Sequence, residues 1–168
     1  MKLLGTIRGS DVFPGTVTHP DDWYSNIRKT VRVALQDDAG KFGFVLYPKR
    51  PGFEHDYVTI LGGGVENGEI LEDAVRREIR EEIGCEVKDI QELGVIKEFA
   101  IDNTDKAAES YCYYARVSGE KGVPHYDDQE AAGKAQPVLL TKQEAEELFK
   151  NQILGFSKHR FQLLFQTF

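Results

Sequence analysis

The sequence contains few cysteines and no long apolar run. There are 2 cysteines in 168 residues, Cys85 and Cys112, and their spacing matches neither a zinc-ligand pattern nor a redox pair. We expect both to be free thiols in a reducing cytoplasm rather than a structural disulfide. No segment approaches the roughly 20 apolar residues of a membrane-spanning helix, and the N-terminus lacks an apolar stretch of signal-peptide length. The sequence therefore predicts a cytoplasmic protein with no membrane partner.

Basic residues are also fewer than acidic residues. The chain has 21 Lys and Arg against 28 Asp and Glu, a formal net charge of −7. Because nucleic acids and anionic membranes attract basic surfaces, this balance argues against both as partners. Internal repeats, low-complexity tracts and linkers are absent as well. We therefore expect one domain over residues 1–168, with residues 1–27 as an N-terminal strand and loop extension; a homodimer is left open.

The most informative stretch runs from Leu61 to Cys85 and reads LGGGVENGEILEDAVRREIREEIGC. At about 100° per residue, one helical face collects the apolar residues Leu71, Ala74, Val75, Ile79 and Ile83. Glu78 and Glu82 fall within this face, and Glu81 lies at its edge. Carboxylates that lean into a protein are costly unless a cation neutralises them, and oxygen ligands suit Mg²⁺ or Mn²⁺. The alternative is an acidic helix stabilised by the i, i+4 pair of Arg77 and Glu81.

The spacing of these residues resembles the signature of the Nudix hydrolases, G-x5-E-x7-R-E-U-x-E-E-x-G-U, in which U is aliphatic. The residues at its fixed positions are Gly63, Glu69, Arg77, Glu78, Glu81, Glu82 and Gly84. The one departure is Cys85 at the last aliphatic position, where a buried cysteine behaves as a small hydrophobe. The resemblance covers this motif strongly and residues 28–165 by element order. It implies an α/β protein with the Nudix fold, a mixed β-sheet sandwiched between α-helices (α/β/α sandwich).

The resemblance also implies a reaction. Nudix hydrolases cleave the pyrophosphate of a nucleoside diphosphate linked to another group, by attack of water on phosphorus with divalent metal bound. Mg²⁺ is the expected cofactor, with Mn²⁺ as a substitute, and the expected partner is a small nucleotide or nucleoside diphosphate derivative. The groups that look like metal ligands are the side chains of Glu78, Glu81 and Glu82 and the carbonyl of Gly62. Arg77 would orient the glutamates, Glu69 would hold that arginine and the loop, and Gly63 would face the substrate.

Several further residues are candidates for the site. A loop that follows the last long strand supplies a carboxylate in many members of the resembling family, and Glu130 is our choice for a catalytic residue there. Its competitors are Asp127, Asp128 and Glu109. Basic residues at strand ends would lie near the pyrophosphate in such proteins, and the candidates are Arg32, Lys49 and Arg50. Tyr111, Tyr113 or Glu98 could line a base pocket, although aromatic residues in strands are usually core.

Alternation and turn chemistry predict the remaining elements. Residues 31–35 and 42–47 read as a hairpin around the turn at residues 37–40. Further strands are predicted at 57–61, 87–101 with a bulge at Gly94, 110–117 and 137–140. Thr141 and Glu144 form a capping box for a helix over residues 142–150, and a last amphipathic helix begins at about Ser157.

Two other functions remain open at this stage. A non-catalytic sensor of a nucleotide such as ADP-ribose would use the same pocket, but degenerate glutamates would favour it and none is degenerate. An isopentenyl diphosphate isomerase on this fold would need a cysteine and a glutamate facing the substrate, whereas Cys85 lies at the helix end. The sequence does not identify the nucleoside diphosphate derivative or the phosphorus that is attacked.

Overall fold

Seven β-strands and four α-helices make up the described part of the chain. In this computed structural model it comprises residues 1–13, 15, 19–49, 55–99, 106–126, 134–152, 155–166 and 168. The strands are β1 (Leu3–Arg8), β2 (Asn26–Gln36), β3 (Phe42–Tyr47), β4 (Tyr57–Ile60), β5 (Glu86–Phe99), β6 (Lys106–Ser118) and β7 (Gln136–Leu140). The helices are α1 (Gly9–Val12), α2 (Leu71–Glu82), α3 (Lys142–Lys150) and α4 (Gly155–Phe165).

The strands form one mixed sheet in the order β1-β5-β6-β2-β3-β4, with β7 paired to β3. Strand β2 runs parallel to β6 over its whole length, and β5 is antiparallel to β6. The free edge of β2 receives the segment that follows β4. There the amide of Val31 donates to the carbonyl of Gly63, and that of Val33 to the carbonyl of Leu61, both at 2.9 Å. The glycine segment therefore lies against the middle of a central strand.

Helices cover both faces of the sheet. On one face α2 packs its buried residues Ala74, Val75 and Ile79 against Val31 and Val33. On the other face, residues of α3 and α4 pack with Ala34, Phe44 and Cys112; they are Ala145, Phe149, Phe161, Leu164 and Phe165. Successive β2 residues such as Val33 and Ala34 thus point to opposite layers, as side chains of a strand do. The predicted α/β/α sandwich is confirmed.

Most predicted elements occupy their predicted places. The strands at β4, β5, β6 and β7 are present, and Gly94, with φ +150°, lies where the β5–β6 register shifts. The capping box of α3 forms, because Glu144 N donates to Thr141 Oγ1 at 3.2 Å and Thr141 N donates to Glu144 Oε2 at 2.7 Å. Helix α4 begins at Gly155, slightly before the predicted start.

The predicted hairpin is correct at its turn but much less extensive than expected. Asp37 Oδ1 accepts hydrogen bonds from the amides of Ala39 and Lys41, which closes the turn. Beyond it, β2 and β3 pair only at Gln36 and Phe42. The reason is competition for the edge of β2, which the segment after β4 occupies instead. Because this segment takes the place of β3 along the edge of β2, its glycines lie against β2.

Both cysteines are buried and unlinked, as expected. Cys85 is 3% exposed and contributes to the core beside α2, which agrees with its place at an aliphatic position of the motif. Among the helices of the described residues, none is long and apolar enough to cross a membrane.

Candidate active site

The carboxylates of α2 are graded in exposure as the helical pattern predicts. Glu78 and Glu82 are buried, at 8% and 5% exposure, although both are charged residues. Glu81 is more open, with 42% of its side chain exposed. The amphipathic face of α2 carries Glu78 and Glu82 towards the sheet because their positions fall among its apolar residues. Two carboxylates are therefore held inside the protein beside the glycine segment.

Arg77 connects this helix to the loop before it. Its Nη1 donates to Glu78 Oε1 at 2.8 Å and to Glu81 Oε2 at 3.1 Å. Its Nε and Nη2 donate to the two oxygens of Glu69 at 2.9 and 3.0 Å, and Nη2 also reaches the carbonyl of Gly64 at 2.8 Å. A guanidinium presents its donors in a rigid planar fork. One side chain thus sets the positions of three carboxylates and one loop carbonyl.

The glycine segment before α2 lies close to β2 and α2, and at Gly62 glycine is required. Gly62 has φ +117°, and a Cβ there would overlap the carbonyl of Val31 in β2. A Cβ on Gly63 would meet the carboxylate of Glu78, and one on Gly64 the guanidinium of Arg28, so either would displace a charged side-chain end. At Gly62 the obstacle is backbone, which has no such freedom to move.

Both the N–H and the carbonyl of Gly62 form hydrogen bonds with side chains. Its N–H donates to Glu82 Oε2 at 2.7 Å, and its carbonyl accepts from Arg32 Nη1 at 2.5 Å. Arg32, a candidate for a substrate contact, is the donor to this loop carbonyl. Lys49 is exposed, and its own amide donates to Asp56. Arg50 lies outside the described residues.

A second group of charges lies behind Arg32, on the face of the sheet covered by α4. Arg160 of α4 forms a two-pronged ion pair with Glu98 of β5, whose side chain is 4% exposed. Ser110 of β6 also donates to Glu98, and its hydroxyl lies 2.7 Å from that of Thr30. Sequence reasoning missed Arg160 and considered Glu98 only for a base pocket. The available signal was the position of Glu98 in an alternating strand, on its inward side.

The glycine at the end of the motif also has a steric cause. Gly84 has φ +76° and its amide closes the last turn of α2 on the carbonyls of Ile79 and Arg80. A Cβ at this position would overlap the backbone of Gly122 and Val123.

The loop after β6 packs against this end of α2. The amide of His125 donates to the carbonyl of Glu81 at 2.7 Å, and the hydroxyl of Tyr126 donates to that of Glu82 at 3.2 Å. This loop leads towards the candidate Glu130, which lies outside the described residues together with Asp127 and Asp128. The remaining competitor, Glu109, accepts a hydrogen bond from Tyr111 at 2.9 Å, and Tyr113 is part of the core.

Comparison with known families decides the identity of this arrangement. The sequence matches the family model of the NUDIX domain over residues 26–154. The chain belongs to the Nudix family. Nudix proteins are hydrolases of nucleoside diphosphate derivatives and generally use divalent metal ions. No curated protein matches the sequence.

A solved structure with the same architecture is the MutT NUDIX hydrolase from Burkholderia pseudomallei. It superposes with a TM-score of 0.57 at 22% sequence identity, and the alignment covers 84% of this chain and 99% of that chain. At this level of identity the likeness shows the Nudix fold alone.

The charges of the Nudix motif are unevenly balanced. We call Arg77, Glu69, Glu78, Glu81 and Glu82 the acidic cluster; it has a formal excess of three negative charges. We call Arg32, Glu98 and Arg160 the basic cluster; it has an excess of one positive charge. Burial raises the pKa of Glu78, although Arg77 opposes the shift. Hydrogen bonds from Arg77 lower the pKa of the more open Glu69.

In the basic cluster, the buried carboxyl group of Glu98 has a lowered pKa, in contrast to that of Glu78. Burial would raise the pKa of Glu98, but the charge and hydrogen bonds of Arg160, together with the charge of Arg32 and the hydrogen bond from Ser110, outweigh it, and the pKa is lowered. Burial and the nearby charge of Arg160 lower the pKa of Arg32 to about 10. Arg32 therefore remains a cation at neutral pH.

The Nudix residues fit a divalent cation by charge and donor type, since hard oxygen donors with excess negative charge are what Mg²⁺ binds. Among the described residues, no three His, Cys, Asp or Glu side chains converge as a ready-made metal site. Glu78 and Glu81 accept hydrogen bonds from Arg77, and Glu82 accepts one from the Gly62 amide. These three carboxylates would therefore have to turn to share an ion.

Proposed function

We propose that this Nudix protein is a Mg²⁺-dependent pyrophosphohydrolase, with Mn²⁺ as a substitute, acting on a nucleoside triphosphate or a nucleoside diphosphate linked to another group. The observation that carries the proposal is the acidic cluster. Two buried carboxylates, Glu78 and Glu82, lie beside the glycine segment. Arg77 pairs with Glu78 but divides its donors with Glu69 and Glu81, and Glu82 accepts the amide of Gly62. Buried negative charge of this kind is unfavourable without a cation.

The residues proposed to hold the ion are Glu78, Glu81 and Glu82, with the carbonyl of Gly62. When bound, the metal supplies charge neutralisation of the pyrophosphate and a lower pKa for the attacking water. Arg77 orients the carboxylates through the bonds described above, and Glu69 holds Arg77 in turn.

The loop and its surroundings would bind the substrate. The bare backbone of Gly63 allows phosphate oxygens to come close, and Arg32, Lys49 and Arg50 are the proposed cationic contacts. For the general base we propose Glu130, because the loop that leads towards it packs on the end of α2. Glu109 is its competitor among the described residues.

The test is a panel of nucleoside triphosphates, ADP-ribose, nucleotide sugars and dinucleotides, with phosphate-containing products measured with Mg²⁺ and with EDTA. We expect one class to turn over in a metal-dependent way. Glu82→Gln removes one charged oxygen ligand but keeps the shape of the side chain, and we expect kcat to fall by about three orders of magnitude. Glu86→Gln is the matched control, since Glu86 is an exposed glutamate that pairs with Arg80 at the surface.

Absence of turnover across this panel, from folded wild-type protein with Mg²⁺, would count against a hydrolase. If the same protein then bound a nucleotide such as ADP-ribose in calorimetry, the sensor function would replace it. Equal loss of activity in Glu82→Gln and Glu86→Gln would instead contradict the proposed site.

A further inference from the structure

Helix α4 lies just outside the family match, which ends at residue 154. One charged side chain of α4, that of Arg160, nevertheless acts on Arg32, which holds the carbonyl of Gly62 in the glycine segment. Arg160 reaches from α4 to Glu98 in the sheet, and its Nε lies 3.0 and 2.9 Å from the two oxygens of that carboxylate. A two-pronged pair of this kind fixes both partners.

Glu98 is almost fully occupied by its neighbours. Besides Arg160, it accepts from the hydroxyl of Ser110, which is itself in contact with Thr30. Glu98, Ser110 and Thr30 lie on one face of three adjacent strands, β5, β6 and β2. The carboxylate therefore has little capacity left for another donor.

Arg32 extends from this same face, two residues along β2 from Thr30. Its Nη1 holds the carbonyl of Gly62, while its Nε is buried and has no hydrogen-bond partner among the described residues. Thr30, two residues away on the same face, contacts Ser110, and Ser110 donates to Glu98, so Arg32 extends from the face that carries this carboxylate. A buried donor without a partner is drawn to a carboxylate on the same face, and the charges of Glu98 and Arg160 act on Arg32.

We propose that Arg160 is a positioning residue of the active site: by saturating Glu98, it leaves Arg32 free to hold the Gly62 carbonyl. The inference rests on the proposed function, because the Gly62 carbonyl matters for catalysis only if the loop serves the reaction. Without Arg160, Glu98 attracts Arg32 away from the loop, and Gly62 retains only its bond to Glu82.

The decisive comparison uses Arg160→Met and the double variant Arg160→Met/Glu98→Gln. Methionine keeps much of the arginine stem but leaves Glu98 unpaired, so Arg32 is recruited and kcat falls by about tenfold to a hundredfold, as small misplacements in active sites do. In the double variant the neutral amide no longer recruits Arg32, and most of the lost kcat returns. Arg160→Lys, which places a single point charge on Glu98, gives an intermediate value.

Two readouts do not depend on turnover. Hydrogen exchange of the Gly62 amide, followed by NMR on glycine-labelled protein, becomes about tenfold faster in Arg160→Met because the loop opens more readily. The carbonyl ¹³C chemical shift of Gly62, which reports the hydrogen bond from Arg32, changes in the same variant. Both return towards wild-type values in the double variant. Arg116→Met, which removes an exposed arginine paired with Asp38, leaves both unchanged.

The outcomes separate this inference from the proposed function. A wild type that is inactive on every substrate contradicts the hydrolase, yet the measurements of Gly62 amide exchange and carbonyl shift still test Arg160. The inference is overturned if kcat per folded molecule and Gly62 exchange are unchanged in Arg160→Met, or if the double variant is no better than the single one. Should Arg160→Met fail to fold, Arg160→Lys is compared with the double variant by the same criteria.

Discussion

The acidic and basic clusters meet at Gly62 from opposite faces of the sheet, and they neutralise their charges differently. In the acidic cluster a single guanidinium, that of Arg77, is shared among Glu69, Glu78 and Glu81. In the basic cluster Arg160 serves the single carboxylate of Glu98. Both clusters contain a buried glutamate, but only the basic cluster has a full counter-charge for it.

This difference appears in the two buried carboxyl groups. Burial raises the pKa of Glu78 in spite of Arg77, and the charge of Glu81 adds to the shift. For Glu98, Arg160 acts with the charge of Arg32 and the hydrogen bond from Ser110, and the pKa is lowered in spite of burial. Burial thus has opposite consequences, because Glu78 has a further carboxylate nearby whereas Glu98 has two cations. We infer that the acidic cluster is built to receive a further cation and that the basic cluster is built to stay closed.

The largest expected effect on stability comes from Arg77→Ala, which removes the shared cation. We expect kcat to fall by about a hundredfold because the carboxylates lose their orientation. The free energy of unfolding should fall by roughly 3 kcal/mol, since buried Glu78 loses its partner. Activity assays and urea denaturation measure the two effects. Arg80→Ala, which breaks an exposed pair with Glu86, should cost less than about 1 kcal/mol; equal effects of the two variants would contradict the difference between buried and exposed pairs.

Addition of Mg²⁺ should stabilise the folded protein through the acidic cluster. A cation that binds only the folded protein stabilises it by about 2.7 kcal/mol at a concentration of one hundred times its Kd. Thermal unfolding with and without Mg²⁺ measures this gain. It should be much smaller in Glu82→Gln and unchanged in Glu86→Gln. A gain that is the same in all three proteins would place the ion elsewhere.

Glu98→Gln should remove the pH-dependent stability that the ion pair between Glu98 and Arg160 contributes. Because the folded pKa of Glu98 is lowered, its carboxylate contributes stability above the unfolded value of about 4.3 and loses it as the pH falls through the folded value. The variant should therefore be less stable than wild type by about 2 kcal/mol at pH 7. Urea denaturation across the acid range should show the two proteins converging as the pH falls. A difference that is constant with pH would mean that ionisation of Glu98 does not matter.

The smallest effect is expected outside both clusters. Thr141→Ala removes the side-chain cap of α3 and should cost about 1 kcal/mol of unfolding free energy. The kcat of the variant should stay at the wild-type value, because α3 packs on the face of the sheet away from α2. A loss of activity at full folding would show that α3 influences the site.

The fold and the acidic cluster were largely predictable. The helical periodicity of α2 predicted that Glu78 and Glu82 are buried and that Glu81 lies at the margin, because the direction of a side chain on a helix depends only on its position along it. The capping box of α3 and the bulge at Gly94 were predictable for the same reason: each depends on residues a few positions apart.

The basic cluster and the direction of Arg32 were not predictable in this way. Arg32 could be assigned only to a strand and a general cationic role, and nothing near Arg160 in the sequence points to Glu98, 62 residues away. The extent of the β2–β3 hairpin was overestimated because strand pairing depends on which segments compete for an edge, and this is not encoded locally.

The sequence by itself determined which residues form the Nudix motif, which face of α2 is acidic and where the cap of α3 lies, since these follow from short-range spacing and backbone geometry. Only the tertiary structure decided that Gly62 is held between Glu82 and Arg32, and that Arg160 lies behind them. Those contacts join α2, β2, β5 and α4, and their proximity follows from the strand order β5-β6-β2 and the packing of two helices on opposite faces. Long-range charge pairs of this kind exist only once the layers have assembled.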